Sequence, residues 1–309
     1  MKGFIANTDY DWYTFLKEQQ TLDEVNFWQP SGETRFRAIQ VGAPFFFRLK
    51  RPYYAIAGFG FLAHTSILPA WFAWDSFGGA NGAPDFDAMR KRIEKYRKPA
   101  KIDLHGQYQI GCLLITQPKF FQEWEWVEQP RDWSREIVQG KTYDLTSGEG
   151  LRVWEECQQR TMARVLNAES AADPLFDRYG NPVLVRPRLG QGTFRVEVTD
   201  AYGRACAVTE EHSLPVLEAA HIKPYAQEGQ HVVSNGLLMR SDIHALFDRG
   251  YATVTPEHRF EVSRRLKEDF DNGKSYYPLN GKRIHLPSRD VDHPDPALLA
   301  WHNQRVFRH

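Results

Sequence analysis

The chain has 309 residues, of which 42% are hydrophobic and 25% charged, with 39 Lys+Arg set against 39 Asp+Glu. This balance excludes a disordered polymer and leaves room for two globular domains. It also excludes a strongly basic protein, so a nucleic-acid partner would have to be met by a local concentration of positive charge.

Cys112, Cys157 and Cys206 are far apart and odd in number, which predicts neither a disulfide framework nor a cysteine zinc site and fits a reducing cytoplasm. The opening MKGFIANTDYDWYTF has acids where a signal peptide has an apolar core. No run of about 18 apolar residues predicts a membrane span. Residues 9–20 read as an opening helix. Short β-type runs follow at Phe36–Gln40, Pro44–Leu49 and Tyr54–Leu62, punctuated by Gly and Pro, and predict a small curved sheet or barrel. Over 85–98, Phe86, Met89, Ile93 and Tyr96 stand at helical spacing. That helix is basic: seven Lys/Arg lie between Arg90 and Lys101 against the single acid Glu94. It reads either as a solvated face or as a phosphate-facing surface, with Arg90 and Lys91 as contacts. Ile110–Thr116 reads as a strand, and a Trp-rich piece precedes Ile137–Asp144.

The runs Gly42–Lys50, Ala57–Phe61 and Ile137–Asp144 resemble the PUA-like group of small β-barrel readers, to which the EVE, ASCH and SRA domains belong. The resemblance covers about residues 1–145. It implies a domain that holds a flipped or modified base, which needs flat apolar partners and a few edge hydrogen bonds. Trp28, Phe46, Trp71, Trp74, Trp124 and Trp126 are the pocket candidates, and filling the barrel core is the alternative for each.

The boundary is placed at Ser147–Gly150, giving a reader domain over 1–149. Residues 150–182 read as a helical linker, with an apolar stripe of Val153, Trp154, Cys157, Met162, Val165 and Leu166 and a turn-rich end at Asp173–Pro182. The last domain spans 183–309. It opens with Arg186, Arg188, Gln191 and Arg195, which would bind phosphate or brace the domain. Phe194–Thr199 is helical or extended. Cys206–Thr209 is expected to begin a β-hairpin that delivers His221, which ends the apolar run Val216–Ala220. Asn235 lies in a polar loop fourteen residues on, and His244 nine residues further, on the following helix. Asp248 shares the His244 face at i+4. Ala252–Val254 with Phe260–Val262, and Tyr276–Leu286, read as hairpins. Residues 295–307 form a closing helix with Asp295 as N-cap and Pro296 at its first position.

LEAAHIKPY and NGLLMRSDIHALFDRG, preceded by RPRLGQGTFR and CAVT, resemble the HNH (ββα-metal) nucleases, and within them the group at the C-terminus of predicted modification-dependent restriction endonucleases. The resemblance covers about residues 183–255. It implies an α+β chain: an N-terminal PUA-like barrel, a helical linker and a C-terminal ββα-metal domain. It implies His221 as general base, Asn235 as the residue that fixes the loop or supplies a ligand, and His244 with Asp248 on the metal. Asp248 could instead pair with Arg249 or Arg240, and Arg240 is a further DNA contact. Where many relatives carry a metal-binding Asp or His immediately before the base histidine, this chain has Ala220. Glu218 could substitute, or partner an arginine. His212, His231, His258 and the C-terminal histidines carry no motif and read as surface groups.

The expectation is a cytoplasmic, metal-dependent DNA endonuclease, modification-dependent in the style of type IV restriction and suited to defence against phage and other foreign DNA. Mg²⁺ is the expected ion, with Mn²⁺, Ni²⁺ or Zn²⁺ as alternatives. Its partner is double-stranded DNA carrying modified bases. A homodimer would cut both strands, and no membrane is involved. The competing readings are an HNH nuclease acting on RNA or unmodified DNA, and a non-catalytic nucleic-acid-binding protein with a degenerate HNH fold.

Overall fold

A computed structural model describes residues 1–19, 22–99, 101–167 and 189–309, with backbone alone at 164–167. The expected phosphate contacts Arg186 and Arg188, the turn-rich stretch 173–182, and the Val165 and Leu166 side chains lie outside the described residues. The chain divides into two compact units, Met1–Gly190 and Gln191–His309. Among the described residues no helix is long and apolar enough to cross a membrane.

The first unit runs β1 (Lys2–Thr8), α1 (Tyr10–Glu18), β2 (Glu24–Gln29), β3 (Pro44–Leu49), β4 (Ala55–Pro69), α2 (Ala70–Phe77), α3 (Phe86–Arg97), β5 (Gln109–Phe120), β6 (Val127–Glu128), β7 (Gly140–Asp144) and α4 (Gly148–Asn167). Its sheet has the order β2-β5-β4-β3-β1-β7, with β6 on β4. Only the β1–β3 pairing is parallel.

β3 explains the architecture. Every residue of PFFFRL is buried, because side chains alternate across a strand that is covered on both faces. Phe45 and Phe47 enter one core with Trp12, Tyr13 and Leu16 of α1. Phe46 enters the other with Phe59, Phe61, Trp154 and Cys157. Phe46 is therefore core, edge-on to Trp154 of α4 at 6.1 Å, and not a pocket wall. The same contacts correct the linker expectation: the apolar face of α4 completes the first unit.

Three strands, β1, β2 and β6, lie outside the predicted runs, and Phe36–Gln40 forms no strand. That segment runs beside β4, where Arg35 Nε donates to the Thr65 carbonyl at 2.8 Å and Gly42 N to the Leu62 carbonyl at 2.7 Å. β3 and β5 already hold both sides of β4. The sheet path ends at β2 and β7, which do not pair with each other among the described residues.

The second unit runs α5 (Gln191–Ala201), β8 (Leu217–His221), β9 (Gly236–Arg240), α6 (Ser241–Asp248), β10 (Ala252–Val254), β11 (Phe260–Val262), α7 (Arg265–Phe270) and α8 (Pro296–Arg305). α5 buries Thr193, Phe194, Val196, Val198 and Thr199, which blurs its period and left helix and strand undecided in the sequence. Cys206–Thr209 is not a strand. Glu210, in the left-handed region at φ 56°, donates its N–H to the Cys206 carbonyl and closes a turn. Ala207 N donates to the Leu238 carbonyl, so the turn abuts β9. The hairpin is β8 with β9, His221 facing Gly236. Tyr276–Leu286 is likewise no hairpin. Pro278 sits in a short 3-10 turn and Gly281 at φ 76°, leaving a single bridge between Arg259 and Arg283. α8 begins as expected, with Asp295 Oδ1 accepting from Ala297 N at 2.8 Å.

Candidate active site

β8, the β8–β9 loop and α6 bring the candidate residues together. β8 is delivered edgewise between its partner β9 and the helices, with Ala220 fully buried and His221 half-buried at the strand end. Opposite His221 only glycine fits: a Cβ on Gly236 would stand 2.5 Å from Val198 Cγ2 and 3.1 Å from the Phe194 ring. Phe194 itself stacks on the His221 imidazole, centroids 4.0 Å apart and planes at 13°. Burial, then the charges of His231 and His244, push His221 down to about 4, with Asp248 opposing. At neutral pH it is an uncharged imidazole, the form a general base needs.

Asn235 is completely buried. Its Oδ1 accepts from Lys223 N at 2.9 Å, and its Nδ2 donates to the carbonyls of Lys223 at 3.0 Å and Gln230 at 2.9 Å. Every hydrogen-bonding position of that amide but one lone pair is spent on the loop behind His221. These bonds fix the loop, and the one Oδ1 lone pair left over is the position from which the amide could also supply a ligand.

His244 stands on α6 between two carboxylates. Its Nδ1 lies 2.7 Å from Glu218 Oε2 and its Nε2 lies 3.3 Å from Asp248 Oδ2. Burial lowers the His244 pKa, but Asp248 and Glu218 outweigh it and the net shift is upward. Two ligands bonded to one cation at about 2.0–2.2 Å stand roughly 3 Å apart. The Nε2–Oδ2 pair meets that spacing, and a carboxylate on the far ring nitrogen is the usual support of a metal-bound histidine. Glu218 takes that supporting place, across the ring from Asp248. Among the described residues no larger His, Cys, Asp or Glu group is arranged to hold a metal ion. The donor set fits a divalent ion in spacing and chemistry, with two ligands from this chain.

The other expected contacts are spread more widely. Gln191 is exposed at the start of α5 and Arg195 half-buried on it. Arg240 is engaged by Asp242 through Nε at 3.0 Å and Nη2 at 2.5 Å. On α3, Arg90 is 5% exposed and ion-paired with Asp87 and Glu94, so it braces the helix and is withdrawn from any phosphate. Lys91 is exposed and pairs with Asp87 at 2.6 Å. Of the five principal pocket aromatics, no two are in ring contact. Trp28 Nε1 donates to the Asn81 carbonyl at 3.0 Å, Trp71 packs on Phe72, Trp74 on Phe86, and Trp124 is 82% exposed. The sixth candidate, the half-buried Trp126, does join an aromatic cluster: Tyr10 stacks on Tyr53 at 4.4 Å and 21°, and Tyr53 meets Trp126 edge-on at 5.3 Å.

Two histidines expected at the surface are not surface groups. His302 is 2% exposed, stacked on Phe247 at 3.7 Å, with Nδ1 2.8 Å from Thr253 Oγ1 and Nε2 3.2 Å from the Phe247 carbonyl. His231 bonds His221, Nδ1 to Nε2 at 3.0 Å. A histidine in the loop between the base strand and the loop asparagine was the signal for it.

The family model described as HNH endonuclease matches residues 206–255, the stretch that carries β8, β9, α6 and β10. No curated protein matches the sequence significantly. Among solved structures, an ASCH protein from Zymomonas mobilis shares 11% identity at a TM-score of 0.31, covering 52% of this chain and 94% of its own. A modification-dependent TagI restriction endonuclease shares 14% identity at a TM-score of 0.28, covering 97% of this chain and 81% of its own. His221, Asn235, His244 and Asp248 all fall inside the matched stretch, so the C-terminal unit carries a region similar to the HNH endonuclease family.

Proposed function

We propose that the protein is a divalent-metal-dependent DNA endonuclease that selects DNA bearing a modified base through its N-terminal unit. The observation that carries the cutting half is one hairpin and one helix presenting an uncharged imidazole, His221, beside an imidazole–carboxylate pair, His244 and Asp248, within the HNH match. His221 takes a proton from water as the water oxygen bonds to phosphorus and the bond to the leaving sugar oxygen breaks. His244 and Asp248 would hold the cation, which supplies electrostatic stabilisation of the phosphate and the leaving oxygen. Asn235 keeps the loop behind the base in place, and Glu218 orients His244. Mg²⁺ suits the oxygen-rich substrate, and an imidazole ligand also admits Mn²⁺, Ni²⁺ or Zn²⁺.

The reading half is supported by the resemblance of residues 1–145 to PUA-like base readers and by the aromatic cluster of Tyr10, Tyr53 and Trp126, in which Tyr53 is exposed and offers a face for a base. One such site cuts one strand, so a double-strand break takes two copies or two events.

The test uses the full-length protein on supercoiled plasmids of one sequence, plain, methylated and hydroxymethylated, with and without Mg²⁺. Metal-dependent cleavage that favours a modified plasmid is expected, with His221→Ala slower by about 10²–10⁴-fold. Retained cutting by His221→Ala would remove the assigned base. Equal cutting of all three plasmids would remove the modification-reading half and leave the nuclease.

A further inference from the structure

The β8–β9 loop folds back on the strand that it leaves, and this sets His231 Nδ1 3.0 Å from His221 Nε2. Each ring is held independently of that bond. Phe194 of α5 stacks on His221, and Tyr225 stacks on His231 with centroids 4.7 Å apart and planes at 13°. Asn235, four residues after His231, ties the loop to the Lys223 and Gln230 backbone.

A contact between two ring nitrogens carries one proton, so one ring donates and the other accepts. With Nε2 of His221 occupied by His231, the nitrogen left for substrate water is Nδ1. A base needs a lone pair there, so neutral His221 carries its single proton on Nε2. We propose that His231 is a positioning residue for the base: its Nδ1 accepts the Nε2–H of His221, fixes that tautomer and leaves Nδ1 of His221 unprotonated toward water. This rests on reading His221 as the general base. The bond persists through the reaction, because the imidazolium formed when water gives its proton to Nδ1 still donates Nε2–H to His231. The charged or titratable groups that face His221 are His231 from the loop and His244 and Asp248 from α6; Phe194 of α5 adds none. Burial first, and His231 next, are what hold its pKa low.

The test compares full-length wild type, His231→Asn, which offers an amide oxygen in place of Nδ1, and His231→Leu, which offers no acceptor. His231→Leu should lower kcat for plasmid nicking by about 10–100-fold at unchanged KM, the range for losing a group that orients a reactive histidine. The acid limb of its kcat profile should rise only part of the way from near pH 4 toward the ordinary imidazole range, because burial, the first cause of the low value, is unchanged. His231→Asn should stay close to wild type in both. Long-range ¹H–¹⁵N spectra of histidine-labelled protein should place the His221 proton on Nε2 in the wild type and on both nitrogens in His231→Leu. A His231→Leu protein with the wild-type rate and profile, or a wild-type His221 protonated on Nδ1, overturns the proposal. The spectra decide the tautomer whether or not the protein cuts, so a wild type inactive on every plasmid would sink the nuclease reading by itself.

Discussion

Glu218 of β8 holds His244 of α6 by its Nδ1 at 2.7 Å, on the side of the ring away from Asp248. A strand and a helix are thus joined through one imidazole, whose Nε2 faces Asp248 Oδ2 at 3.3 Å, the pair proposed to hold the cation. Removing Glu218 should loosen the ring and weaken the ion without deleting a ligand. Glu218→Ala is expected to raise the Kd for Mn²⁺, read by calorimetry, by about 10–100-fold, and Glu218→Gln by less, since the amide still bonds Nδ1. An unchanged Kd in Glu218→Ala would end the supporting role.

Asn235 should matter to stability as well as to cutting. Asn235→Ala leaves the Lys223 N–H and carbonyl without their partner, while the Gln230 carbonyl keeps Val232 N. A buried polar group left unpaired costs about 1–3 kcal/mol. Thermal melting should fall accordingly, and nicking should fall further than the melt explains, because the loop carries His231. A variant with wild-type melting would show that water replaces the amide.

The buried His302 makes the second unit sensitive to acid. Its pKa is pushed down to about 4, chiefly by burial, against the ordinary 6.5. Between those values the unfolded chain binds a proton that the native chain does not. Stability on this account is complete above about pH 6.5 and falls, by up to about 1.4 kcal/mol per pH unit, as pH drops toward 4. Urea midpoints measured at pH 7, 6 and 5 should fall in that order, and His302→Gln should reduce the slope, with His221, lowered over the same range, carrying the rest. An identical slope in the variant would place the acid sensitivity elsewhere.

In the first unit, core and surface aromatics should separate cleanly. Phe46→Ala should cost about 3–5 kcal/mol, the range for emptying a buried phenylalanine site, and act on DNA only through unfolding. Tyr53, 39% exposed, should do the reverse. Tyr53→Ala should barely move the melt and should reduce the preference for modified over plain plasmid. Full preference in Tyr53→Ala would clear the Tyr10–Tyr53–Trp126 surface of base reading.

What could be read from sequence was local. β10 and β11 fall at the predicted residues, since each is a short apolar run between turn formers. His221, His244 and Asp248 sit on the predicted strand and helix because a strand end and an i, i+4 pair are set by backbone period alone. Arg90 shows what charge counting misses: its partners Asp87 and Glu94 lie three and four residues away on its own helix, and they turn a basic run inward. Phe46, where the core reading holds over the pocket one, and α4, read as a linker, share one reason. A strand buried on both faces has no polar side in its sequence, and the helix that covers its second face then looks like a connector. His231 is a contact across a folded loop, which no periodicity encodes.

The seating of α4 has a practical side. Trp154 and Cys157 close over Phe46, Phe59 and Phe61, so a fragment ended near residue 145 would leave that apolar sheet face to water. Faces of that kind drive self-association. A soluble N-terminal half has to be cut after the helix, and aggregates of a shorter piece would report a missing lid on the sheet, with no bearing on whether the unit recognises DNA.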